Sequence, residues 1–313
     1  MSGVLVFGSI NLDLSFRGER WPHPGETLLG SALKISPGGK GANQAHAAQQ
    51  FGARVTMVGA VGQDEFAAAA LANLERSGVD LTGVRRLPGA ATGAASILVN
   101  GQGENAILVA PGANLHVRAD WVTDAQIADS ALLMLQGEVP LAESMALACR
   151  FRRLDRTVML NLAPAQDFHL LAPDCLDWLI VNQGELAALA AALGLGASAA
   201  GVAAFLGCHV LVTLGGEGAL ACLSDGTEIN VPARPARVVD TTGAGDTFCG
   251  VFAAALSLGT TVEAALKFAC VAASLACERA GAQAAQPSRQ DIDSAADVAP
   301  RILEIQKCHI LWT

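Results

Sequence analysis

Short apolar runs rich in β-branched residues alternate with Ala- and Leu-rich stretches of helical length along most of the chain. This alternation limits the fold more than any other feature. Residues 4–9 and 54–61 read as strands and 64–77 as a helix; 131–135, 157–162, 178–181 and 210–214 read as further strands, with helical segments between most of them. Strand, helix, strand at this spacing predicts an α/β fold with a mainly parallel central sheet and helices on both faces. Ligands of such sheets bind beyond the carboxyl ends of the strands. Two regions, roughly 12–36 and 92–110, break the pattern. They carry few helical signals, and β-like pieces at 95–100 and 105–110 flank Gly101-Gln102-Gly103, a hairpin signal. They predict a small inserted β-sheet, a lid over the site of one α/β domain spanning residues 1–313.

Composition narrows the class. Hydrophobic residues make up 52% of the 313 and charged residues 16%, which excludes a disordered chain. With 20 Lys and Arg against 29 Asp and Glu, the net charge of −9 offers no uniformly basic surface to nucleic acid. Residues 186–216 contain no Asp, Glu, Lys or Arg and are long enough for a membrane span. However, Gly194, Gly196, Ser198 and Gly201 interrupt them and a β-like run ends them, so they predict a buried helix, loop and strand. The first residues lack a basic region and a cleavage site, and the eight cysteines form no CxxC pair. The expectation is a cytoplasmic protein with buried, reduced thiols.

Two familiar phosphate motifs fail on context. Residues 101–106 fit GxGxxG/A, but both flanks are β-like, whereas a dinucleotide fingerprint needs a helix behind it. No GxxxxGK[ST] occurs. The strongest segment is DTTGAGDTF at 240–248, between a β-like run at 236–239 and a long helical run at 248–258. Its small residues let consecutive backbone N–H groups approach an oxyanion, and the helix N-terminus adds partial positive charge. Asp246 in that first turn either complements the helix dipole or accepts a hydroxyl proton beside an anion hole, the arrangement phosphoryl transfer requires. The PGGKGANQ run at 37–44 allows close backbone approach to a polyol, with Lys40 and Asn43 as hydrogen-bonding groups. Asn11 and Asp13, two apart in extended chain, point the same way and can grip adjacent hydroxyls or shape a turn. Asn182-Gln183-Gly184-Glu185 either boxes a helix start or supplies oxygens to magnesium-bound phosphates.

Taken together, these segments resemble the ribokinase (PfkB-type) carbohydrate kinase family. GGKGANQA at 38–45 is similar to its first signature, DTTGAGDTF at 240–248 to its second, and NQGE at 182–185 to its N-x-x-E element. GSINLD at 8–13, PGE at 24–26 and VNGQGEN at 99–105 point to its ribose-phosphorylating branch. The resemblance implies ATP-dependent phosphorylation of D-ribose at the 5-hydroxyl. Asp246 is then the base, with Gly243, Ala244 and Gly245 as the anion hole. Asn11, Asp13, Gly39, Lys40, Asn43 and Glu138 line the sugar site. Asn182 and Glu185 serve the nucleotide phosphates and Mg2+. Thr213, Leu214, Gly215, Gly216, Glu217 and Gly218 fall where the family binds nucleotide, with Gly245, and with Cys270 where a His stands beside the adenine. Asp240 and the Thr242 carbonyl hold a monovalent cation (K+), with Ala276, Arg279 and Gly281 nearby and Ala285 in place of a Ser. A homodimer paired through the lid is also implied. The alternatives are a same-fold kinase for another sugar or a nucleoside, such as deoxyribose or fructose, and a non-catalytic sugar sensor. Residues 301–313 carry no interpretable motif.

Overall fold

Val4 and Val6 enter one apolar cluster and Leu5 and Phe7 the other, and all four are at most 1% exposed. A strand buried on both faces is what the middle of a parallel sheet requires, and there it lies. The computed structural model describes residues 3–296. The strands are β1 (Gly3–Phe7), β2 (Asn11–Arg17), β3 (Ala32–Gly38), β4 (Arg54–Gly62), β5 (Asp80–Leu87), β6 (Gly93–Val99) and β7 (Asn105–Ala110). They continue as β8 (Leu132–Gln136), β9 (Thr157–Asn161), β10 (Trp178–Asn182), β11 (His209–Thr213), β12 (Ala219–Cys222) and β13 (Glu228–Val231). The helices are α1 (Lys40–Phe51), α2 (Glu65–Ser77), α3 (Asp124–Asp129), α4 (Leu141–Arg152), α5 (Gln183–Ala192), α6 (Ala199–Leu206), α7 (Ala244–Ser257), α8 (Val262–Ala276) and α9 (Arg289–Ala296).

The large sheet runs β13-β12-β11-β10-β9-β8-β1-β4-β5 and is parallel from β11 to β5, with β12 and β13 antiparallel at one edge. One face buries residues of α1, α2, α7, α8 and α9. The other buries residues of α3, α4, α5 and α6. The chain leaves β1 for β4 on one side and returns to β8 on the other, so the order reverses at β1. The carboxyl ends around that crevice are polar: Gln136, Asn161, Asn182 and Thr213 close β8, β9, β10 and β11. A second sheet, β3-β2-β6-β7, joins the first just after β1. Gly101-Gln102-Gly103 turns β6 into β7 as expected, and strand pairing places Asn105 opposite Val99.

The structure corrects four readings. Residues 236–239 form no strand: Val238 and Val239 are 63% and 59% exposed and lack a strand partner, although Val239 N–H and Asp240 N–H donate to the Cys277 carbonyl. The segment expected to be one loop between 186 and 209 contains α6, which Ser198 caps through the Gly201 N–H. Charged and Gly-broken, β5 escaped the apolar pattern because it pairs only at the sheet edge. The thiols are not all reduced: Cys149 on α4 is bonded to Cys175, 26 residues on, with Cα atoms 4.8 Å apart. The uncharged 186–216 stretch sends Leu186, Leu189, Val202, Leu206, Val210 and Val212 into the core while Phe205 stays 60% exposed, and among the described residues no helix is long and apolar enough to cross a membrane. Residues 301–313 lie outside the described residues.

Candidate active site

Helix α7 begins at Gly243, whose φ of 74° lies in the left-handed region and whose absent Cβ leaves room for Ala282, 2.9 Å from where it would stand. This turn precedes Ala244, the first residue of the helix. Among the described residues the N–H groups of Gly243, Gly245 and Asp246 have no backbone partner, while that of Ala244 donates to the Thr241 carbonyl at 3.2 Å. The expected anion hole therefore needs one correction: the Ala244 N–H is already used, and the Asp246 N–H is available.

Behind the turn, α7 lies against α1 with little between them. A Cβ on Gly250 would strike the Gln44 carbonyl oxygen. This close approach brings two α1 amides onto the carboxylate of Asp246, which is 7% exposed. Asn43 Nδ2 donates to Oδ2 at 2.9 Å and Gln44 Nε2 to Oδ1 at 3.0 Å. The other end of α1 closes on Glu138, whose Oε2 accepts from the Lys40 N–H at 3.0 Å and the Ser9 hydroxyl at 2.6 Å.

From the small sheet, β2 adds Asn11 and Asp13. Asn11 Oδ1 accepts from Asn114 Nδ2 at 2.7 Å. Asp13 packs its carboxylate over Gly38 on β3, where any side chain would collide with it. Burial, then the nearby Glu138 and Asp246, raise the Asp13 carboxyl to about 6. Lys40, surrounded by Asp246, Glu138 and Glu185, is held more strongly protonated than an ordinary lysine, with Asp246 the main cause. Gly39, the cap of α1, has φ 87° and passes close to the Asn11 N–H. The predicted sugar residues thus converge on one polar cleft around one ammonium.

On the other side of the α7 turn is a cavity of about 580 Å³. Thr213, Gly215, Gly216, Gly218, Gly245 and Cys270 line it, as do Val238, Phe248, Ser274 and Cys277. Leu214 and Glu217, also expected there, do not. The Cys270 thiol is pushed up to about 12 by burial, which makes it a small apolar wall. Asn182 and Glu185 form a reciprocal cap at the start of α5: Asn182 Oδ1 accepts from the Glu185 N–H and Glu185 Oε2 from the Asn182 N–H, both at 2.8 Å. Glu185 Oε1 is left over, and desolvation raises this carboxyl despite the Asn182 N–H. Asp240 ties two loops together, accepting from Thr242 N–H and Oγ1 and from the Gly281 N–H. Burial opposes its charge, but these bonds outweigh it and hold the carboxyl low. Ala276 and Ala285 are buried nearby in sequence, and Arg279 reaches Asp291 at 3.9 Å.

Several residues of the site were given no role by the sequence: Gln136, which served only to place Glu138 in Gln136-Gly137-Glu138, Asn161 at a strand end, Asn114, and Gln283 and Gln286 after α8. Gln44 is inside the GGKGANQA run but is set apart from its neighbours by nothing in the sequence.

A hydroxyl in the polar cleft that loses its proton toward Asp246 can attack a phosphoryl group whose charge falls on the α7 terminus. The fold and this pairing define a class, phosphotransferases with an alcohol as acceptor. Residues 1–289 match the model of the pfkB family carbohydrate kinases, and the chain belongs to that family. It is 36% identical to a ribokinase of Bacillus subtilis over 94% of this chain and 99% of the relative. It is also 36% identical to a deoxyribokinase of Salmonella typhi, over 91% and 95%. The structure superposes on that of Arabidopsis thaliana ribokinase complexed with ribose and ATP with a TM-score of 0.85, at 30% identity, covering 94% of this chain and 98% of that one. The protein is a sugar kinase on the ribokinase fold.

Proposed function

We propose that this kinase transfers the γ-phosphoryl group of ATP to the 5-hydroxyl of D-ribose. The observation that carries the reading is the position of Asp246, between the free N–H groups of α7 and the cleft of Asn11, Asp13, Lys40 and Glu138. Asp246 takes the hydroxyl proton, the oxygen forms its bond to phosphorus, and the bond to the β–γ bridging oxygen breaks with its electron pair leaving on ADP. The N–H groups of Gly243, Gly245 and Asp246 bear the charge of the transferring group. The cavity lined by Thr213, Gly216 and Cys270 takes the nucleotide. Residues 12–36 and 92–110 form the lid of a single domain, closing the sugar cleft from above.

Two ions belong to this reading. Mg2+ binds mostly through phosphate oxygens and water and needs only one or two protein oxygens, so the spare Glu185 oxygen fits it, with Asn182 orienting Glu185. When bound, Mg2+ neutralises phosphate charge. A monovalent cation such as K+ would be held by Asp240 and backbone oxygens at Thr242, Ala276, Arg279 and Gly281; Ala285 adds no side-chain oxygen. The exposed apolar residues of the lid suit a homodimer, and an ATP-consuming enzyme of this kind suits the cytoplasm.

The relative named deoxyribokinase supports a second reading, deoxyribose as acceptor, because it is as similar as the ribokinase. A coupled assay with ATP, Mg2+ and a panel of ribose, deoxyribose, fructose and nucleosides separates the two. The expected result is highest kcat/KM with ribose. Asp246→Asn should lower turnover by about a thousandfold or more while sugar binding changes little. Turnover near wild type in that variant removes Asp246 as base, and activity with no panel member favours a sensor.

A further inference from the structure

Behind Asp246 lies a symmetrical arrangement that the motifs do not explain. Each amide that donates to the carboxylate has its own oxygen held by a second glutamine. Gln136 Nε2 donates to Gln44 Oε1 at 2.8 Å, and Gln283 Nε2 to Asn43 Oδ1 at 3.0 Å. The second Gln44 N–H goes to Asn161 Oδ1 at 3.0 Å, and Asn161 Nδ2 donates to the Ile180 carbonyl. All of these side chains are at most 8% exposed. The direction of donation is fixed: turning the Gln44 amide over would set its oxygen against Asp246 and Asn161 and its NH2 against that of Gln136. The same holds for Asn43 between Asp246 and Gln283.

The outer glutamines complete this fixing at a cost. Gln136 Oε1 and Gln283 Oε1 are buried with no hydrogen-bond partner among the described residues. A buried acceptor without a partner is destabilising, and Met or Leu would fill either place without one. What each glutamine contributes instead is a single N–H aimed at the next amide.

We propose that Gln136 and Gln283 are positioning residues for phosphoryl transfer, acting through Gln44 and Asn43 to keep one N–H on each oxygen of Asp246. This rests on the reading of Asp246 as the base. With both oxygens so engaged, rotation of the carboxylate is restrained. Charged and titratable groups facing Asp246 are Lys40 on α1, Asp13 on β2, Glu185 on α5 and Cys249 on α7. None is hydrogen-bonded or ion-paired to it, so the oriented amides are its direct partners.

The test uses Gln136→Met and Gln283→Met, which keep volume and delete the donor, measured with the sugar that the panel identifies. In each, kcat should fall about ten- to a hundredfold, as expected for a misaligned reacting group, with nucleotide KM within about twofold of wild type. Gln44→Met added to Gln136→Met should cost less than the product of the two single losses, since they act as one unit. The two glutamines lie on separate segments, so if one variant fails to fold the other decides. Wild-type kcat in the folded Met variants overturns the proposal, as does a loss of kcat matched by an equal rise in nucleotide KM and a lowered melting midpoint. If wild type is active and Asp246→Asn is not, such results remove only the glutamine roles. If Asp246→Asn keeps its turnover, the base assignment falls and this proposal with it.

Discussion

At the scale of residues, the cleft concentrates Asp13, Glu138 and Asp246 around one ammonium, and the consequence is a pH dependence. Burial and the two neighbouring carboxylates raise Asp13 to about 6. On the proposed function, Asp13 above that pH would accept from two sugar hydroxyls; below it the group carries a proton and loses an acceptor site. Sugar KM should therefore rise as pH falls through about 6, by up to about tenfold per unit. Asp13→Asn should raise KM at neutral pH and flatten its pH dependence. Sugar KM measured at several pH values for both proteins checks this; an equally steep rise in Asp13→Asn would move the titration to another group. The pairing of Asp13 with Asn11 was legible because Asn11-Leu12-Asp13 follows an obvious strand and the alternation of extended chain sets both polar groups on one side; whether they grip hydroxyls or shape a turn was not. Gln136, Asn161 and Gln283 were not readable. A lone amide at a strand end or in a loop looks the same in sequence whether it faces water or a buried carboxylate, and only long-range packing brings these three together. The Cys149–Cys175 bond was hidden for the same reason, since a 26-residue separation carries no spacing signal.

At the scale of elements, the decisive contact is α1 against α7, because it places the amides of one helix on the carboxylate of the other. Gly250 permits it. A Cβ there would fall on the Gln44 carbonyl oxygen and 2.7 Å from the Ala47 Cβ, both parts of α1 with no freedom to swing aside. Gly250→Ala should push the helices apart, costing about 1–3 kcal/mol as overpacking does. It should also lower kcat by an order of magnitude or more, because Asn43 and Gln44 move with α1. Thermal melting and single-substrate kinetics measure the two effects; a stable variant with wild-type kcat would contradict the assumed rigidity of the pair. The existence of these helices was legible from their Ala and Leu content. Their starts were not: α1 begins at Lys40 and α7 at Ala244, inside glycine-rich runs that score as loop. The glycines serve the approach of backbones and ligands there, so local propensity gives way to packing. Residues 236–239 erred in the other direction, since β-branched residues form a strand only where a neighbour is free to pair.

At the scale of the whole molecule, the net charge of −9 ceases to conflict with a phosphate substrate. On the proposed mechanism the phosphoryl group would meet backbone N–H groups and a helix terminus, not a basic surface, while Lys40 is a cation embedded among the carboxylates of the polar cleft. The alternation of strands and helices predicted the large sheet, and the hairpin signal predicted half of the small one. Pairing through the lid was implied only by the family resemblance, and the surface of the small sheet is unusual for a monomer. Phe16, Leu33 and Leu108 are 40%, 54% and 76% exposed, and Ile35 and Ile107 are 54% and 56% exposed. Strand pairing sets Phe16 opposite Leu33, which makes the residues neighbours on one surface. The sheet has β3 and β7 as its edges, each presenting unpaired backbone alongside these side chains. Exposed apolar clusters of this kind mark association sites, and an open apolar edge is otherwise a route to aggregation. On the proposed homodimer, a second copy of the chain meeting the first lid to lid would cover both. Sedimentation of the wild-type protein should therefore give a dimer at micromolar concentration. The double variant Ile107→Glu/Leu108→Glu puts a charge on each face of edge strand β7 and should sediment as a monomer. Because the catalytic groups reside on α1, α7 and the crevice of the large sheet, that monomer should keep its fold by circular dichroism. Its sugar KM should nevertheless rise several-fold, since β2 carries Asn11 and Asp13 and loses the support of the partner sheet. A monomeric wild-type protein, or a dimer that survives both charges, would place the contact elsewhere.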